Sequence, residues 1–528
     1  MDQLANSPKS VLSGANIARI RARRHLTDKI ASRLIAMGGV SVILAVCLIF
    51  FYLVWEVVPL FRGASISPQA SFQAPSAAQT YYVDVDESVS VALQLTAQSA
   101  DFFSTADGKL VKSVMIGLPP NSSVTSFTLE APETQLLAFG LSNGAALIMR
   151  SHYDTAYEGA KAVAKPTLRY PFGETPVQLS DQAIQTLALR DKEDALRLAW
   201  VDANNVLAVR DINKVTAFMS DELSLEPGEV RSLPHREGKI DRLFISPNQR
   251  WLYALDFQQG VVDVYDLNQA DPQLAHVERV SLTRDDGKIT AATLLNGGVS
   301  LIVGTEKGRV HQWFQVRDDN AGVSHLNWIR SFDVSKKPVV ALAIEQRRKG
   351  FVAADTDGEV AFYNATSEKE ALNEKLLSKQ PSTINLAPRA NALVTIDAEN
   401  NLNFFHVDNE HPEVSWRSLW AKVWYENYPE PTYTWQSSSA NTDFEPKFSL
   451  VPLTFGTLKA AFYSMLLSIP LAVFGAMFTA YFMAPSLRTK VKPAIEVMGS
   501  MPTVILGFLA GLWLAPMAEE HLPGLFAL

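Results

Sequence analysis

Three long runs without a charged side chain set the first constraint on how this chain can fold. They cover residues 34–55, 460–483 and 497–518. A run of about 20 apolar residues is long enough to cross the roughly 30 Å hydrocarbon core of a bilayer as a helix. We therefore predict three transmembrane helices. A cleaved signal peptide is the alternative for the first run, but that run is too long and no Ala-x-Ala-like site follows it.

Basic residues predict how these helices are oriented. Seven Lys and Arg side chains precede the first run, and three more lie in the short segment between the second and third runs. Short segments rich in Lys and Arg stay on the cytoplasmic side of a membrane. We therefore predict a cytoplasmic N-terminus, a bacterial inner membrane, and a periplasmic position for residues 60–458. The only cysteine, Cys47, lies in the first run. The outer segment thus has no thiol, which suits an oxidising compartment.

Composition narrows the classes of function. The 528 residues carry a net charge of −8, which disfavours nucleic acid as a partner. One cysteine argues against a disulfide framework and a Cys-based zinc or iron–sulfur site. The outer segment has no His-Glu-x-x-His spacing, no Gly-x-Ser-x-Gly motif and no Gly-rich phosphate loop. We predict no metal site, no cofactor and no catalytic residue, and a periplasmic hydrolase is the least favoured alternative.

Tight-turn dipeptides recur through the outer segment, each between two runs that alternate apolar and polar residues. The seven dipeptides are Asp107-Gly108, Asn143-Gly144, Asn204-Asn205, Gln259-Gly260, Lys307-Gly308, Asp357-Gly358 and Asn400-Asn401. Gly and Asn supply the positive φ that such turns need. A four-stranded unit repeated about every 49 residues is typical of a β-propeller blade.

The repeat predicts a multi-domain membrane protein in which an all-β propeller is inserted between the first and second spans. The segment resembles WD40-like or YVTN-like propellers without their Gly-His and Trp-Asp signatures. Seven blades is the predicted number, although the weaker copies near residues 107 and 204 leave six or eight open. A generic all-β sandwich is the alternative fold.

An aromatic segment follows the predicted propeller. Trp416, Trp420 and Trp424 are spaced four residues apart, which places them on one face of a helix. Because Trp and Tyr prefer the membrane–water interface, we predict a short amphipathic helix on the outer bilayer surface. A last propeller strand, or a helix packed on the propeller, is the alternative. The polar residues 436–447 then predict a linker, in which Pro446 disfavours regular structure.

The region from Phe448 onward carries a more specific set of residues. The motif positions are Phe455, Gly456, Thr457, Glu496, Pro502 and Gly507, together with Pro470 within the second span and Tyr481 near its end. This region resembles the start of the permease core of binding-protein-dependent ABC importers. Among them, it is most similar to phosphate permeases of the PstC type, in an enlarged form with a large outer domain.

The resemblance implies a function and a set of partners. The chain would be a permease subunit for inorganic phosphate that forms part of the translocation path by alternating access. Its partners would be a second permease subunit, cytoplasmic ATPase subunits that hydrolyse ATP, a periplasmic phosphate-binding protein and the lipid bilayer. We find no EAA-type coupling loop, so we expect the chain to be C-terminally incomplete. The alternative function is a membrane-anchored periplasmic propeller that acts as a scaffold or sensor.

The predicted organisation has five parts, and no residue of the substrate path is assigned. The parts are a basic cytoplasmic N-terminus (1–33), a first transmembrane helix (34–59), the propeller-like domain (60–410), the aromatic interfacial helix and linker (411–450), and the start of the permease core (451–528).

Overall fold

The computed structural model describes residues 14–158, 161–216, 223–234, 238–318, 322–438, 445–499 and 503–521, together with Gly524. The chain divides into two compact units, Met1–Leu450 and Val451–Leu528.

The first unit begins with one long helix, α1 (Gly14–Val57). It is continuous across the boundary predicted between the basic N-terminus and the first span, because no Pro interrupts this stretch. At 1.5 Å per residue, its length is about 66 Å, roughly twice the bilayer core. Residues Ala22–Phe61 are long and apolar enough to cross a membrane. Pro59 lies in the 3-10 turn Val58–Phe61 that follows α1, and Arg62 then takes an extended conformation.

Seven antiparallel sheets of four or five strands follow α1 in the described part of the unit. The first strand after α1 is β1 (Ser65–Gln73). Blade 1 contains β2 (Tyr82–Val85), β3 (Val91–Leu95), β4 (Ser99–Ser104) and β5 (Leu110–Met115). Blade 2 contains β6 (Val124–Leu129), β7 (Leu136–Leu141), β8 (Ala145–Glu158), β9 (Lys161–Arg169) and β10 (Val177–Gln178). Blade 3 contains β11 (Ile184–Asp191), β12 (Ala195–Asp202), β13 (Leu207–Thr216), β14 (Leu223–Pro227) and β15 (Arg231–Ser232).

The remaining blades follow in chain order. Blade 4 contains β16 (Arg242–Ile245), β17 (Trp251–Asp256), β18 (Val261–Asp266) and β19 (His276–Ser281), with a 3-10 turn at Pro272–Leu274. Blade 5 contains β20 (Ile289–Leu294), β21 (Leu301–Thr305), β22 (Arg309–Asp318) and β23 (Val323–Asp333). Blade 6 contains β24 (Val339–Ile344), β25 (Gly350–Asp355), β26 (Glu359–Asn364) and β27 (Lys369–Lys375). Blade 7 contains β28 (Pro381–Leu386), β29 (Ala392–Asp397) and β30 (Asn401–Asp408).

The ring closes because the first strand of the chain completes the last blade. Strand β1 pairs with β30 in antiparallel register, from Ser65 opposite Asp408 to Gln73 opposite Asn401. Strand β2 of blade 1 also contacts β28 of blade 7, so the first and last blades are neighbours. The fold is therefore a seven-bladed β-propeller, which confirms the predicted number of blades.

The predicted turns fall where the sequence placed them. All seven dipeptides contain a residue with positive φ, which is Gly in five of them and Asn205 or Asn400 in the other two. Gly144 shows why the residue type matters. Its φ is +82°, and a Cβ atom added there would lie 1.9 Å from the carbonyl oxygen of Ser180.

The core of the propeller lies between adjacent blades, and at the junction of blades 7 and 1 it also contains polar groups. Asn385 Nδ2 donates to the carbonyl oxygen of Val83 at 2.9 Å and lies 3.4 Å from Asp84 Oδ1. Burial raises the pKa of the Asp84 carboxyl to about 7. A carboxyl in this position is stable when protonated, because ionisation would leave a charge in a dry environment.

The connections between strands lie at two opposite faces of the propeller. In blade 6, the loops 345–349 and 365–368 lie together, since the Ala365 N–H donates to the Lys349 carbonyl at 2.7 Å. The turn 356–358 lies at the other end of the same strands. We name these the loop face and the turn face. Because β30 runs from its turn at Asn400 towards Asp408, and β1 begins opposite Asp408, both chain connections of the propeller leave from the loop face.

The second unit is helical. It contains α3 (Val451–Met477), a π-helical turn (Phe478–Phe482), α4 (Pro485–Gly499), α5 (Thr503–Leu509), a second π-helical turn (Ala510–Leu514) and α6 (Ala515–Glu520), while α2 (Trp416–Trp420) belongs to the first unit. Candidate membrane spans are Val451–Phe482 and Thr503–Glu520. The third predicted run starts earlier, at residue 497, but its first residues belong to α4, whose sequence is otherwise polar.

Candidate functional site

The predicted motif positions of the second unit lie on three different helices. Phe455, Gly456 and Thr457 are in the second turn of α3, where Phe455 is 67% exposed. Thr457 Oγ1 donates to the Leu453 carbonyl at 2.8 Å, a bond within the helix that uses the hydroxyl proton. An added Cβ at Gly456 would meet no atom within 4 Å.

The other motif positions do not lie on the second turn of α3. Glu496 lies on α4 and Gly507 on α5, while Pro502 lies outside the described residues. Among the positions that the structure describes, no hydrogen bond or ion pair joins one motif residue to another. Arg488, from the predicted basic loop, donates to the carbonyl of Ala480 at 2.8 Å and so binds the π-helical end of the second span. These residues therefore remain motif positions, and those that the structure describes are not joined into one site.

The segment that joins the propeller to α3 is much more structured than the sequence predicts. We name residues 411–450 the strap. Its short helix α2 begins with a capping box, in which the Ser418 N–H donates to Ser415 Oγ and the Ser415 N–H to Ser418 Oγ, both at 3.0 Å. Ser415 Oγ in turn donates to the Ser367 carbonyl at 2.7 Å, which fixes α2 on the loop face of blade 6.

The prediction that Trp416, Trp420 and Trp424 lie on one face of a helix is wrong. Helix α2 ends at Trp420, because Ala421 is extended and Val423 forms a β-bridge with Thr432. Trp424 instead turns inward, where its ring makes an edge contact with Phe314 at 6.1 Å between centroids. Trp424 therefore packs on the propeller, but it lies in neither the packed helix nor the last propeller strand of the alternative interpretation.

The prediction of an irregular linker at residues 436–447 is also wrong at both ends of that segment, which form strands. Trp435–Gln436 pairs with Lys447–Phe448 as the two-stranded sheet of β31 and β32. Glu445 and Lys447 are each only 7% exposed. Residues 439–444 lie outside the described residues. The sequence missed this structure because Glu445 accepts buried hydrogen bonds from Thr366 and Glu426, which are distant in the chain.

A buried ion pair holds the strap to blades 5 and 6. Lys349 Nζ lies 2.7 Å from Glu426 Oε2, and the two side chains are 3% and 6% exposed. The same ammonium donates to the Asn296 carbonyl at 2.6 Å, and Ser300 Oγ donates to Glu426 Oε1 at 2.5 Å. Each charged group is thus hydrogen-bonded as well as paired, which is the condition under which a buried ion pair is tolerated.

A second carboxylate and an arginine extend this cluster. Glu445 Oε2 accepts a hydrogen bond from the Glu426 N–H at 3.0 Å, and Thr366 Oγ1 donates to Glu445 Oε1. Burial, together with the nearby charge of Glu426, raises the pKa of Glu445 above its ordinary value. Arg330 donates to the carbonyls of Ala365, Thr366 and Trp424, and burial lowers its pKa. The strap is therefore clamped through charges that no sequence motif indicates.

The two ends of the propeller chain meet next to the strap. The rings of Phe61 and Trp416 stack with centroids 4.7 Å apart. Lys369 Nζ donates to the carbonyls of Leu60, at 3.2 Å, and His411, at 2.9 Å. One side chain of blade 6 thus binds the segment that leaves α1 and the segment that starts the strap.

The propeller also brings together a Ser, a His and an Asp that are separate in sequence. His311 Nδ1 lies 2.7 Å from Ser331 Oγ, and Nε2 lies 3.1 Å from Asp286 Oδ2. Trp328 Nε1 donates to the same hydroxyl oxygen at 3.2 Å. His311 is 1% exposed, and burial lowers its pKa. We interpret this set as a structural network that ties blade 5 to the preceding loop, and among the described residues no group of His, Cys, Asp or Glu could hold a metal ion.

Comparisons with known proteins give one similarity in sequence and several in fold. No family model matches the chain. Over 80 residues, 15% of its length, it is 36% identical to the "Probable ABC transporter permease protein YqgH" of Bacillus subtilis (strain 168), and it spans about a quarter (26%) of that relative.

Two solved structures are similar to the propeller part. The β-propeller domain of Cps50 (Swd1) from Myceliophteria thermophila is 10% identical, with a TM-score of 0.45 over 65% of this chain and 100% of the other. A chain of the Mitotic Checkpoint Complex is 13% identical, with a TM-score of 0.42 over 65% of this chain and 96% of the other. The protein thus combines a seven-bladed propeller, three candidate membrane spans and an 80-residue similarity to an ABC transporter permease.

Proposed function

We propose that this chain is a permease subunit of an ABC importer in a bacterial inner membrane, with inorganic phosphate as its solute. The observation that carries the proposal is the 36% identity over 80 residues to a Bacillus subtilis protein named as an ABC transporter permease. Phosphate is the solute implied by the resemblance of residues 448–516 to PstC-type permeases. ATP hydrolysis is assigned to separate cytoplasmic subunits, and solute delivery to a periplasmic phosphate-binding protein.

The arrangement of the propeller supports a position on one side of the membrane. Both of its chain connections leave from the loop face, one towards α1 and one through the strap towards α3. A domain inserted between two spans needs both connections on the same side, since the chain returns to the membrane face that it left. With a basic, cytoplasmic N-terminus, that side is the periplasm.

The mechanism that we propose is alternating access. A loaded binding protein docks on the outer side, ATP-driven closure occurs on the cytoplasmic side, and the pair of permease subunits opens the path alternately to each side. The strap is held to the first unit up to its last residue, because the Leu450 N–H donates to the Leu419 carbonyl at 2.8 Å.

Uptake of radiolabelled phosphate tests the proposal. In a strain without other phosphate importers, we expect deletion of the gene to abolish high-affinity phosphate uptake, and the intact gene to restore it. Sulfate uptake is the control and should not change. Unchanged phosphate uptake in the deletion strain would overturn the assignment to phosphate, and unchanged uptake of all tested anions would overturn the importer assignment.

A cavity in the propeller favours a second candidate function, that of a membrane-anchored sensor. About 310 Å³ of space lies between the innermost strands of the blades and is lined by Arg242, Phe244 and Thr290 among others. Arg242 donates to the Phe127 carbonyl at 3.5 Å, and burial lowers its pKa. A sensor would keep its activity when residues 451–528 are replaced by an unrelated membrane anchor, whereas a permease would lose transport.

A further inference from the structure

Four aromatic side chains of the strap are exposed on the first unit. They are Trp416, Trp420, Tyr433 and Trp435, with exposed fractions of 68%, 47%, 42% and 41%. We name them the aromatic patch. Trp424, which the sequence groups with Trp416 and Trp420, is excluded because it packs against Phe314. In the parts of the strap that the structure describes, 411–438 and 445–450, the patch contains the exposed aromatic side chains.

The patch is connected directly to the ends of two candidate spans. Trp416 stacks on Phe61, the last residue of the span Ala22–Phe61. Leu419, next to Trp420, binds the N–H of Leu450, and the span Val451–Phe482 starts at the following residue. Trp435 pairs with Phe448, three residues before that span. Trp416 is thus in direct contact with the last residue of one span, and Trp420 and Trp435 lie beside backbone contacts to residues just before the other.

Helix lengths place these span ends at the outer surface of a bilayer. The uncharged residues 34–55 of α1 extend about 33 Å, which matches the roughly 30 Å hydrocarbon core. Phe61 follows within six residues and so lies close to the outer edge of that core. Helix α3 and the π-helical turn after it form the candidate span Val451–Phe482, whose ninth residue is Lys459. The uncharged residues 460–483 extend about 36 Å and cover the hydrocarbon core, so the first residue of α3 lies on the outer side of that core.

We propose that the aromatic patch docks into the outer headgroup layer of the lipid bilayer and so holds the loop face of the propeller against the membrane. Trp and Tyr suit this layer because each combines an apolar ring with a polar N–H or O–H group. Lys422 Nζ lies 5.9 Å from the ring centroid of Tyr433 and supplies a cation next to the patch for lipid phosphates. The proposal requires α1 and α3 to span the membrane but does not require transport.

Site-directed spin labelling of the full chain in phosphatidylcholine–phosphatidylglycerol vesicles tests the proposal. Because Cys47 is the only cysteine, a Cys47→Ser background accepts single labels at chosen positions. The test position is Trp420→Cys, with Lys422→Cys as a second position that keeps every aromatic ring. The matched control is Asp357→Cys, which lies in an exposed turn on the opposite face of blade 6. Collisions with oxygen and with a water-soluble nickel chelate report the depth of each label.

We expect labels at residues 420 and 422 to be several-fold less accessible to the nickel chelate than the label at residue 357, and more accessible to oxygen. Equal nickel accessibility at all three positions would overturn the proposal. Protection from both reagents would also overturn it, because it would show that another protein surface covers the patch. A label on native Cys47 provides the membrane reference: if the nickel chelate reaches it freely, the membrane assignment of α1 fails together with this proposal.

Discussion

The propeller and the second unit use the same apolar residue types in opposite ways. All six residues of β17 and all six of β25 are buried by neighbouring blades. In α3, by contrast, no described residue is buried, and Leu467 and Leu471 are 76% and 77% exposed. The propeller therefore supplies its own apolar surroundings, whereas α3 needs a bilayer or other helices to cover it. The apolar sequence of α3 fits a membrane span, since no described part of the chain buries its side chains.

The strap combines features of both regions, since it is clamped to the propeller by buried charges and ends where α3 begins. The largest expected effect comes from breaking that clamp. Glu426→Gln leaves the buried Lys349 ammonium without its counter-charge, so we expect the free energy of unfolding of the first unit to fall by about 3–5 kcal/mol. Urea unfolding of the full chain in detergent, followed by tryptophan fluorescence, measures the change.

Glu430→Gln provides the matched control for that substitution. Glu430 lies four residues further along the same strap and is exposed. The control should change the free energy of unfolding by less than about 0.5 kcal/mol, as is usual for surface positions. If both variants unfolded alike, the ion pair would not be holding the strap to the propeller.

The sequence predicted the propeller well because its repeats are local. Each turn dipeptide specifies a positive φ by its own residue type, and the alternating runs beside it specify strands, so the seven blades could be counted without long-range information. The strap could not be predicted in this way. Lys349, Glu426 and Glu445 are ordinary charged residues in the sequence, and only the fold brings blade 6 and the strap together. The Trp416–Trp424 spacing was misleading because it fits a helix that Ala421 ends.

The motif positions of the second unit were predicted by resemblance, and the structure adds only their places on α3, α4 and α5. Gly507 and Phe455 make no contact that indicates a solute path. The two regions differ here as well: the propeller buries its own apolar side chains, whereas no described residue of α3, α4 or α5 is buried.

The pH dependence of the free energy of unfolding tests the buried core of the propeller. The pKa of Asp84 is raised from its ordinary value of 3.8 to about 7 by burial, so the folded propeller binds this proton more tightly than the unfolded chain does. Stability from this group is therefore fully present below pH 3.8 and is lost as the pH rises through 7. In the wild-type protein, this group lowers the free energy of unfolding by about 3 kcal/mol between pH 4 and 7. We expect the Asp84→Asn variant to lack this fall. Asp181→Asn, at an exposed position, should keep the wild-type pH profile, and an unchanged profile in Asp84→Asn would contradict the assignment.

The same Gly→Ala change made in each region gives the most direct comparison. At Gly144, the positive φ and the Ser180 carbonyl leave no room for a Cβ, so Gly144→Ala should destabilise the propeller by about 2 kcal/mol.

At Gly507, an added Cβ meets nothing within 4 Å, and Ala favours a helix over Gly. Gly507→Ala should therefore not lower the free energy of unfolding of the chain. If a partner helix packs against Gly507 in the importer, the same variant would lower phosphate uptake, because close helix packing in membranes depends on small residues. Lost uptake with unchanged unfolding would show that the second unit is completed by a partner, whereas unchanged uptake would show that Gly507 faces lipid.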